Sequence, residues 1–295
     1  MIIYLPPPQR CRADDAKEAH TSSQEALPEY HVKARNTSSS SENKIHDEQI
    51  AREYGFRGAL VPGVTVYAYL THPLVEAFGP AWLERGTANV RFVKPIHDGE
   101  EVRLAGVVTS RDARSITATV SATTAAGGEC ATLAATLPAG SPVPVNLAQY
   151  PVAPLPADRP IVTRAHLAGL AALGTLINPY DSERQMEYLE RVSDDLPIYR
   201  GARGWAHPAF FLDQANKALS LNVRMSPWIH VGSVVRHLGG ARVGETLSTR
   251  GKVRSLFEKK GKEFVEADLI LVAGERRPVA HVLHTAIYRL PAPAR

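Results

Sequence analysis

Asn43-Lys44-Ile45-His46, on a polar stretch, and Leu60-Val61-Pro62-Gly63-Val64, which opens the most apolar run of the chain, are the two segments from which the fold can be read. Beyond Gly63, the residues Val64, Tyr67, Leu70, Leu74, Val75 and Phe78 leave little room for a wet face, so the pattern predicts a buried helix kinked at Pro73. A helix N-terminus presents unpaired N–H groups and the positive end of the helix dipole. A histidine on a facing loop can move a proton, so Gly63 and His46 together have the parts needed to polarise a carbonyl beside an acid/base group. Plainer readings stay open. Gly63 also fits a helix entry chosen for backbone freedom after Pro62, and Asn43 with His46 fits a surface turn in which the asparagine caps backbone.

Around these segments the local signals are orderly. Asp47 is placed to N-cap a short helix carrying Ile50, Ala51 and Tyr54 on one side, and Gly55 to end it in a left-handed conformation. Upstream, Tyr30 to Ala34 alternates as a first strand, while Asn36 to Asn43, with Ser38 to Ser41 in succession, reads as a polar loop. Downstream, Ala88, Val90 and Phe92 alternate with polar neighbours. Val102 and Leu104 follow the Asp98-Gly99 turn, and Ile116, Ala118, Val120 and Ala122 alternate with Ser and Thr. Gly127-Gly128 marks a hairpin into Cys130 to Leu137. The unit is one helix followed by an antiparallel meander.

The second half repeats the first. Gly99-Glu100, Gly106 and Ser110 recur as Gly244-Glu245, Gly251 and Ser255 at an offset of 145, and Gly128-Glu129 recurs as Gly274-Glu275 at 146. A second helix is expected near Pro208, with Phe211, Leu212, Ala215 and Leu219 as its stripe, and Asn178-Pro179-Tyr180-Asp181 is taken as a weaker counterpart of the Asn43 segment. Matches in the same order at nearly constant spacing indicate a duplicated unit. The resulting division is a loose arm over 1–28, one unit over 29–140, a proline-rich linker over 141–160 and a second unit over 161–295.

Composition narrows the function. Among 295 residues, 44% hydrophobic and 22% charged, the formal net charge is +4 with positives scattered among acidic residues, which gives no nucleic-acid-binding stripe. No apolar run reaches the length of a membrane span, and Cys11 and Cys130 offer neither metal-ligand spacing nor a disulfide framework, so a cytoplasmic protein is expected. No nucleophile elbow, phosphate loop, dinucleotide fingerprint or zinc motif is present. Among the histidines, only His46 is assigned a role; His97, His207, His281 and His284 read as structural.

Over roughly residues 30–290 the chain resembles the MaoC-like hydratases and dehydratases of the hotdog fold, in their fused double-hotdog form. The resemblance implies an α+β fold in which each of two units wraps an antiparallel sheet around a long helix. It also implies hydration or dehydration of a 2-enoyl or 3-hydroxyacyl thioester of CoA or acyl-carrier protein. The family signature Gly-Asp-x-Asn-Pro-Leu-His places its asparagine on Asn43, its histidine on His46 and its helix glycine, followed by Val64, on Gly63. Its aspartate falls on Ser41, which cannot act as a carboxylate base, so Glu42 or Asp47 would have to supply the acid; Asp181 is read at the histidine position of the second half. Neither cofactor nor metal is implied, and a homodimer is left open. A binding protein that has lost the chemistry is the competing reading, favoured by Ser41. A thioesterase ranks last, because Val64 to Leu74 carries no carboxylate early on the helix.

Overall fold

The computed structural model describes residues 25–126 and 128–291; most of the expected N-terminal arm, with Cys11, and Gly127 of the expected hairpin turn lie outside them. In chain order the elements are β1 (Tyr30–Lys33), α1 (Glu48–Glu53), α2 (Gly63–Phe78), α3 (Pro80–Arg85), β2 (Thr87–Phe92), β3 (Glu101–Arg111), β4 (Ser115–Thr124), β5 (Gly128–Pro138), α4 (Arg164–Gly169), β6 (Leu173–Tyr180), α5 (Ser182–Val192), α6 (Pro208–Ser220), β7 (Ile229–His237), β8 (Glu245–Lys259), β9 (Lys262–Ala273) and β10 (Arg277–Arg289). Short 3-10 turns lie at Lys44–His46, Leu147–Gln149 and Pro197–Tyr199.

The strands form one ten-stranded sheet in the order β1-β3-β4-β5-β2-β7-β10-β9-β8-β6. The order is the same five-strand unit taken twice, and the units meet where β2 pairs antiparallel with β7, Val90 opposite Ser233. Pairing there removes the two strand edges that separate units would leave open. Each unit curls around its own long helix, and α2 and α6 also pack against each other. Alternation decides which residues meet the helices: Val102 and Leu104 of β3, Ala118 and Val120 of β4, Leu133 and Ala135 of β5, then Val265, Ala267 and Leu269 of β9 and Ala280, Val282 and Ala286 of β10 are all buried. Each such Val or Leu adds about 1.5–3 kcal/mol by leaving water. This is the double-hotdog architecture, with helices starting at Gly63 and Pro208. Asp47 caps α1 by accepting from the Ile50 N–H, and Gly55 takes φ +83°. Among the described residues, no helix is long and apolar enough to cross a membrane.

The segment after β5 packs on the sheet: Tyr150 is buried with Ile270 and Val272 on the outer face of β9, where its hydroxyl donates to Asp268 Oδ1 at 2.8 Å. That cover is why β9 is apolar on both faces. Asn178 and Asp181 do not match Asn43 and His46. Asn178 lies within β6 and donates to Gln214 Oε1 at 2.7 Å, while Asp181 caps α5 by accepting from the Arg184 N–H. A full amphipathic helix, α5, follows β6 where the first unit has its polar loop.

The two units are also tied by a buried polar cluster. Asp194, 4% exposed and just beyond α5, lies 3.2 Å from His72 Nδ1 of α2 and accepts from His207 Nε2 at 3.1 Å. Burial alone would raise the Asp194 carboxyl, but the His207 hydrogen bond and the His72 imidazole 3.2 Å away together hold it well below the ordinary 3.8. A carboxyl so depressed stabilises the fold fully above its ordinary value and loses that contribution as pH falls below about 4. Asp194→Asn is therefore expected to cost about 3 kcal/mol at neutral pH, by leaving two buried imidazoles without their anion. Denaturant titrations at pH 7 and pH 3 check this: the gap between wild type and variant narrows at pH 3, and an unchanged gap contradicts it.

Candidate active site at the start of the first long helix

Asn43 is the pivot of the site. It caps the 3-10 turn at Lys44–His46, and its side-chain amide reaches the other unit: Oδ1 accepts from the Trp228 N–H at 3.0 Å and Nδ2 donates to the Trp228 carbonyl at 3.0 Å. This two-way pairing fixes which end of the amide is which. The remaining Nδ2 proton points to His46 Nε2 at 3.4 Å. Ile45, buried with Ala51 and Leu60, anchors the same turn from below.

His46 has a determined tautomer. Its Nδ1 is 2.7 Å from the Leu60 carbonyl, which can only accept, so Nδ1 carries the proton and Nε2 is the free base. Burial lowers the His46 pKa, opposed by the Leu60 hydrogen bond, and the net shift is downward from 6.5. A neutral imidazole with a bare Nε2 is the form a general base requires.

The helix start faces this base. Pro62 stands at the N-cap with no side-chain cap, and its carbonyl accepts from the Thr65 and Val66 N–H groups at 2.9 and 3.1 Å. Among the described residues, no acceptor pairs with the N–H of Gly63 or of Val64. They stand at the positive end of a sixteen-residue helix, a place suited to a developing oxyanion.

A cavity of about 260 Å³ joins these parts, with His46, Gly63 and Phe92 from the first unit and Asn216, Trp228 and His230 from the second. A second cavity of about 320 Å³ shares Asn43, His46, Pro62, Asn216 and Trp228, so His46 is reached from two sides. Lys94 and Lys262, one from each unit, also line the first cavity.

The other sequence-derived candidates sit as follows. Ser41 lines the second cavity and its hydroxyl donates to the Asn43 carbonyl at 3.2 Å. Glu42 is exposed and held by both guanidinium nitrogens of Arg159 at 2.8 and 2.9 Å, which lower its pKa. The Asp47 carboxylate is occupied as the α1 cap. Asn43, His46, Gly63, Val64 and Ser41 are thus brought together, whereas the Glu42 and Asp47 carboxylates are engaged elsewhere. Besides Trp228 and Lys262, three further residues absent from the sequence reading join the site from the second unit. Asp213 lines the second cavity, bound to Arg191 and Lys217 at 3.0 and 3.1 Å; Asn216 has a buried Oδ1 without a partner; and His230 has a buried Nδ1 without a partner.

The start of α6 is built to the opposite effect. His207, fully buried, caps it by accepting the Ala209 N–H on Nδ1, and Pro208 has no N–H to offer. Asp194 and Tyr199 close over His207. One helix start is open and the other sealed.

A scan against protein-family models finds no match, and a search of curated proteins finds no significant match. Solved structures do match. A protein described as a MaoC domain dehydratase from Chloroflexus aurantiacus aligns with TM-score 0.60 at 11% identity, over 91% of this chain and 95% of that one. A conserved hypothetical protein of Mycobacterium tuberculosis with a double hotdog fold aligns with TM-score 0.57 at 13% identity, over 88% and 96%. An acyl-CoA thioesterase II, TesB2, from Mycobacterium marinum aligns with TM-score 0.54 at 15% identity, over 80% and 92%.

Gly63 gives a direct check of this geometry. A Cβ there would stand 3.0 Å from His230 Nδ1 and 3.1 Å from Phe92 Cε2, inside the cavity. Gly63→Ala is expected to fold, since overpacking of about 1–2 kcal/mol is partly offset by the better helix propensity of alanine. Any ligand seated against the helix start should then bind at least about tenfold more weakly, about 1.4 kcal/mol, as read by calorimetry with crotonyl-CoA as the probe beside thermal melts; wild-type binding by the variant contradicts the site. At 11 to 15% identity the likeness carries the fold and nothing finer, and on that ground the chain is a double-hotdog protein.

Proposed function

We propose that this chain hydrates or dehydrates an acyl thioester, 2-enoyl to 3-hydroxyacyl, carried by CoA or an acyl-carrier protein. The observation that carries the reading is the unprotonated Nε2 of His46, met only by a long contact from Asn43, beside the uncapped start of α2 in a cavity lined by both units. In the hydration direction His46 Nε2 takes a proton from water as the water oxygen bonds to C3. The C2–C3 π electrons move toward the thioester oxygen, and the Gly63 N–H holds the resulting enolate. The imidazolium then returns its proton to C2, so the net change is addition of H and OH and the histidine ends as it began. Asn43 donates to Nε2 only while that nitrogen is unprotonated, and its contact gives way when water delivers the proton. Lys94 and Lys262 at the cavity suit the phosphates of an anionic carrier.

A second reading has its own observation: Ser41 offers no carboxylate, and Glu42 and Asp47 are bound by Arg159 and the α1 backbone. This favours slow turnover, or binding alone. The thioesterase reading has in its favour Asp213, whose carboxylate shares a cavity with His46. One assay separates the three: loss of enoyl absorbance on crotonyl-CoA, run beside a thiol-capture assay for released CoA.

Hydration is expected without CoA release. His46→Ala should abolish it, since general acid/base assistance is worth about 10² to 10⁴ in rate, and Ser41→Asp should raise it. The acidic limb of the wild-type kcat profile should fall below pH 6.5, because burial lowers the His46 pKa and a neutral base persists to lower pH. CoA release without hydration would replace this reading by hydrolysis. Binding with neither reaction would replace it by the binding protein.

A further inference from the structure

We propose that His230 is a second oxyanion donor, its Nδ1–H sharing the thioester oxygen with the Gly63 N–H, and that Ser233 and His284 hold it in the tautomer this requires. The proposal rests on the acyl-thioester reading above and adds a catalytic residue from the second unit.

His230 lies on β7 at the seam between units and is 7% exposed. Its position is rigid: the ring meets Phe92 edge-on at 4.8 Å between centroids and stacks on His284 at 4.2 Å. Its Nδ1 has no hydrogen-bond partner among the described residues, yet it comes within 3.0 Å of the point a Cβ on Gly63 would occupy. A buried imidazole nitrogen left unpaired costs free energy unless a ligand completes it. It faces the cavity in which the Gly63 N–H also stands.

The far side of the ring decides which nitrogen is protonated. His230 Nε2 is 2.8 Å from Ser233 Oγ, and Ser233 Oγ is 3.0 Å from His284 Nδ1. A serine hydroxyl has one proton, so it donates to one imidazole and accepts from the other. If His284 Nδ1–H donates to Ser233 and Ser233 donates to His230 Nε2, the His230 proton sits on Nδ1 and a bare His284 Nε2 is left unpaired. The reverse chain buries an unpaired N–H on His284. Either chain leaves one N–H over: in the first it faces the cavity on His230, where water or a ligand can accept it, and in the reverse it is sealed on His284, which is fully buried, so the first arrangement is favoured. His230 then presents a neutral N–H to the cavity. Burial, assisted by the neighbouring His284 and opposed by the nearby Gly232 backbone, lowers its pKa well below the ordinary value, so it donates a hydrogen bond without being charged. No proton is transferred, and the proton balance of the His46 step is unchanged.

The test reads the hydrogen bonds on the carbonyl directly. Butyryl-CoA labelled with ¹³C at the thioester carbon is saturated at C2–C3 and so cannot be hydrated, and its bound carbonyl stretch falls with each donor it accepts. In wild type the band is expected well below that of free butyryl-CoA. His230→Phe should move it part of the way back and lower kcat for crotonyl-CoA about 10²–10³-fold with KM little changed, as for loss of one oxyanion donor. His230→Asn, whose amide N–H lies where Nδ1 lies, should restore the band, whereas His230→Gln, whose amide reaches toward Ser233, should not; the Gln variant replaces Phe if Phe does not fold. His46→Ala should leave the band at its wild-type position.

A bound, unshifted band in both the Phe and Gln variants removes His230 as a donor and leaves the acyl-thioester reading standing. Failure of wild type to bind butyryl-CoA overturns both.

Discussion

The side chain of Asn43 copies a strand partner for Trp228, giving and taking one hydrogen bond with its backbone across the junction of the two units. The loop that carries His46 is polar and serine-rich, with little apolar surface of its own to bury. Without a fixed point, the conformational entropy of such a loop would leave the imidazole unplaced. The pairing holds because β2 and β7 are locked side by side in one continuous sheet, which sets Trp228, just before β7, opposite the first unit's loop. The Leu60 carbonyl then fixes the ring's tautomer and the free N–H groups of α2 fix where a carbonyl can lie. Preorganised donors of this kind act without rearranging during reaction.

The duplication produced two helix starts and gave them different fates. At α2 the cap is a proline with no side chain to spare, followed by glycine, and the N–H groups stay open. At α6 a histidine caps, a proline removes the next N–H, and Asp194 seals the histidine. The sealed end contributes stability and ties α2 to the second unit. The open end keeps unpaired polar groups that cost stability and are of use only to a ligand. His230, Asn216 and Asp213 all reach the open end from the sealed unit, so neither half is sufficient alone.

Much of the fold was legible because period-2 alternation and repeated turn glycines survive without regard to partners. The 145-residue spacing from Gly99 to Gly244 identified the repeat, and the apolar run beyond Gly63 identified the helix. Asn178 and Asp181 were misassigned because they sit only 135 residues beyond Asn43 and His46, a break in the spacing that reflects α5 replacing the polar loop. His46, Asn43 and Gly63 were legible as a local motif. His230, Asn216 and Asp213 were not, since each belongs to an element whose own pattern gives no reason to face the first unit. One signal was available: His284 falls on the inward side of β10, in register with Ala280, Val282 and Ala286, and a polar residue on that apolar row calls for partners such as Ser233 and His230.

The central claim is that one composite site, not two equivalent ones, receives an acyl thioester at the start of α2. A crystal structure of the wild-type protein with bound butyryl-CoA tests it most directly. The account predicts a single acyl chain in the cavity between the units, its carbonyl oxygen within hydrogen-bond distance of the Gly63 N–H and its C3 facing His46 Nε2. An acyl chain seated at the start of α6, or in the open groove that Tyr30 and Val32 of β1 line with Met186 and Glu190 of α5, would contradict it.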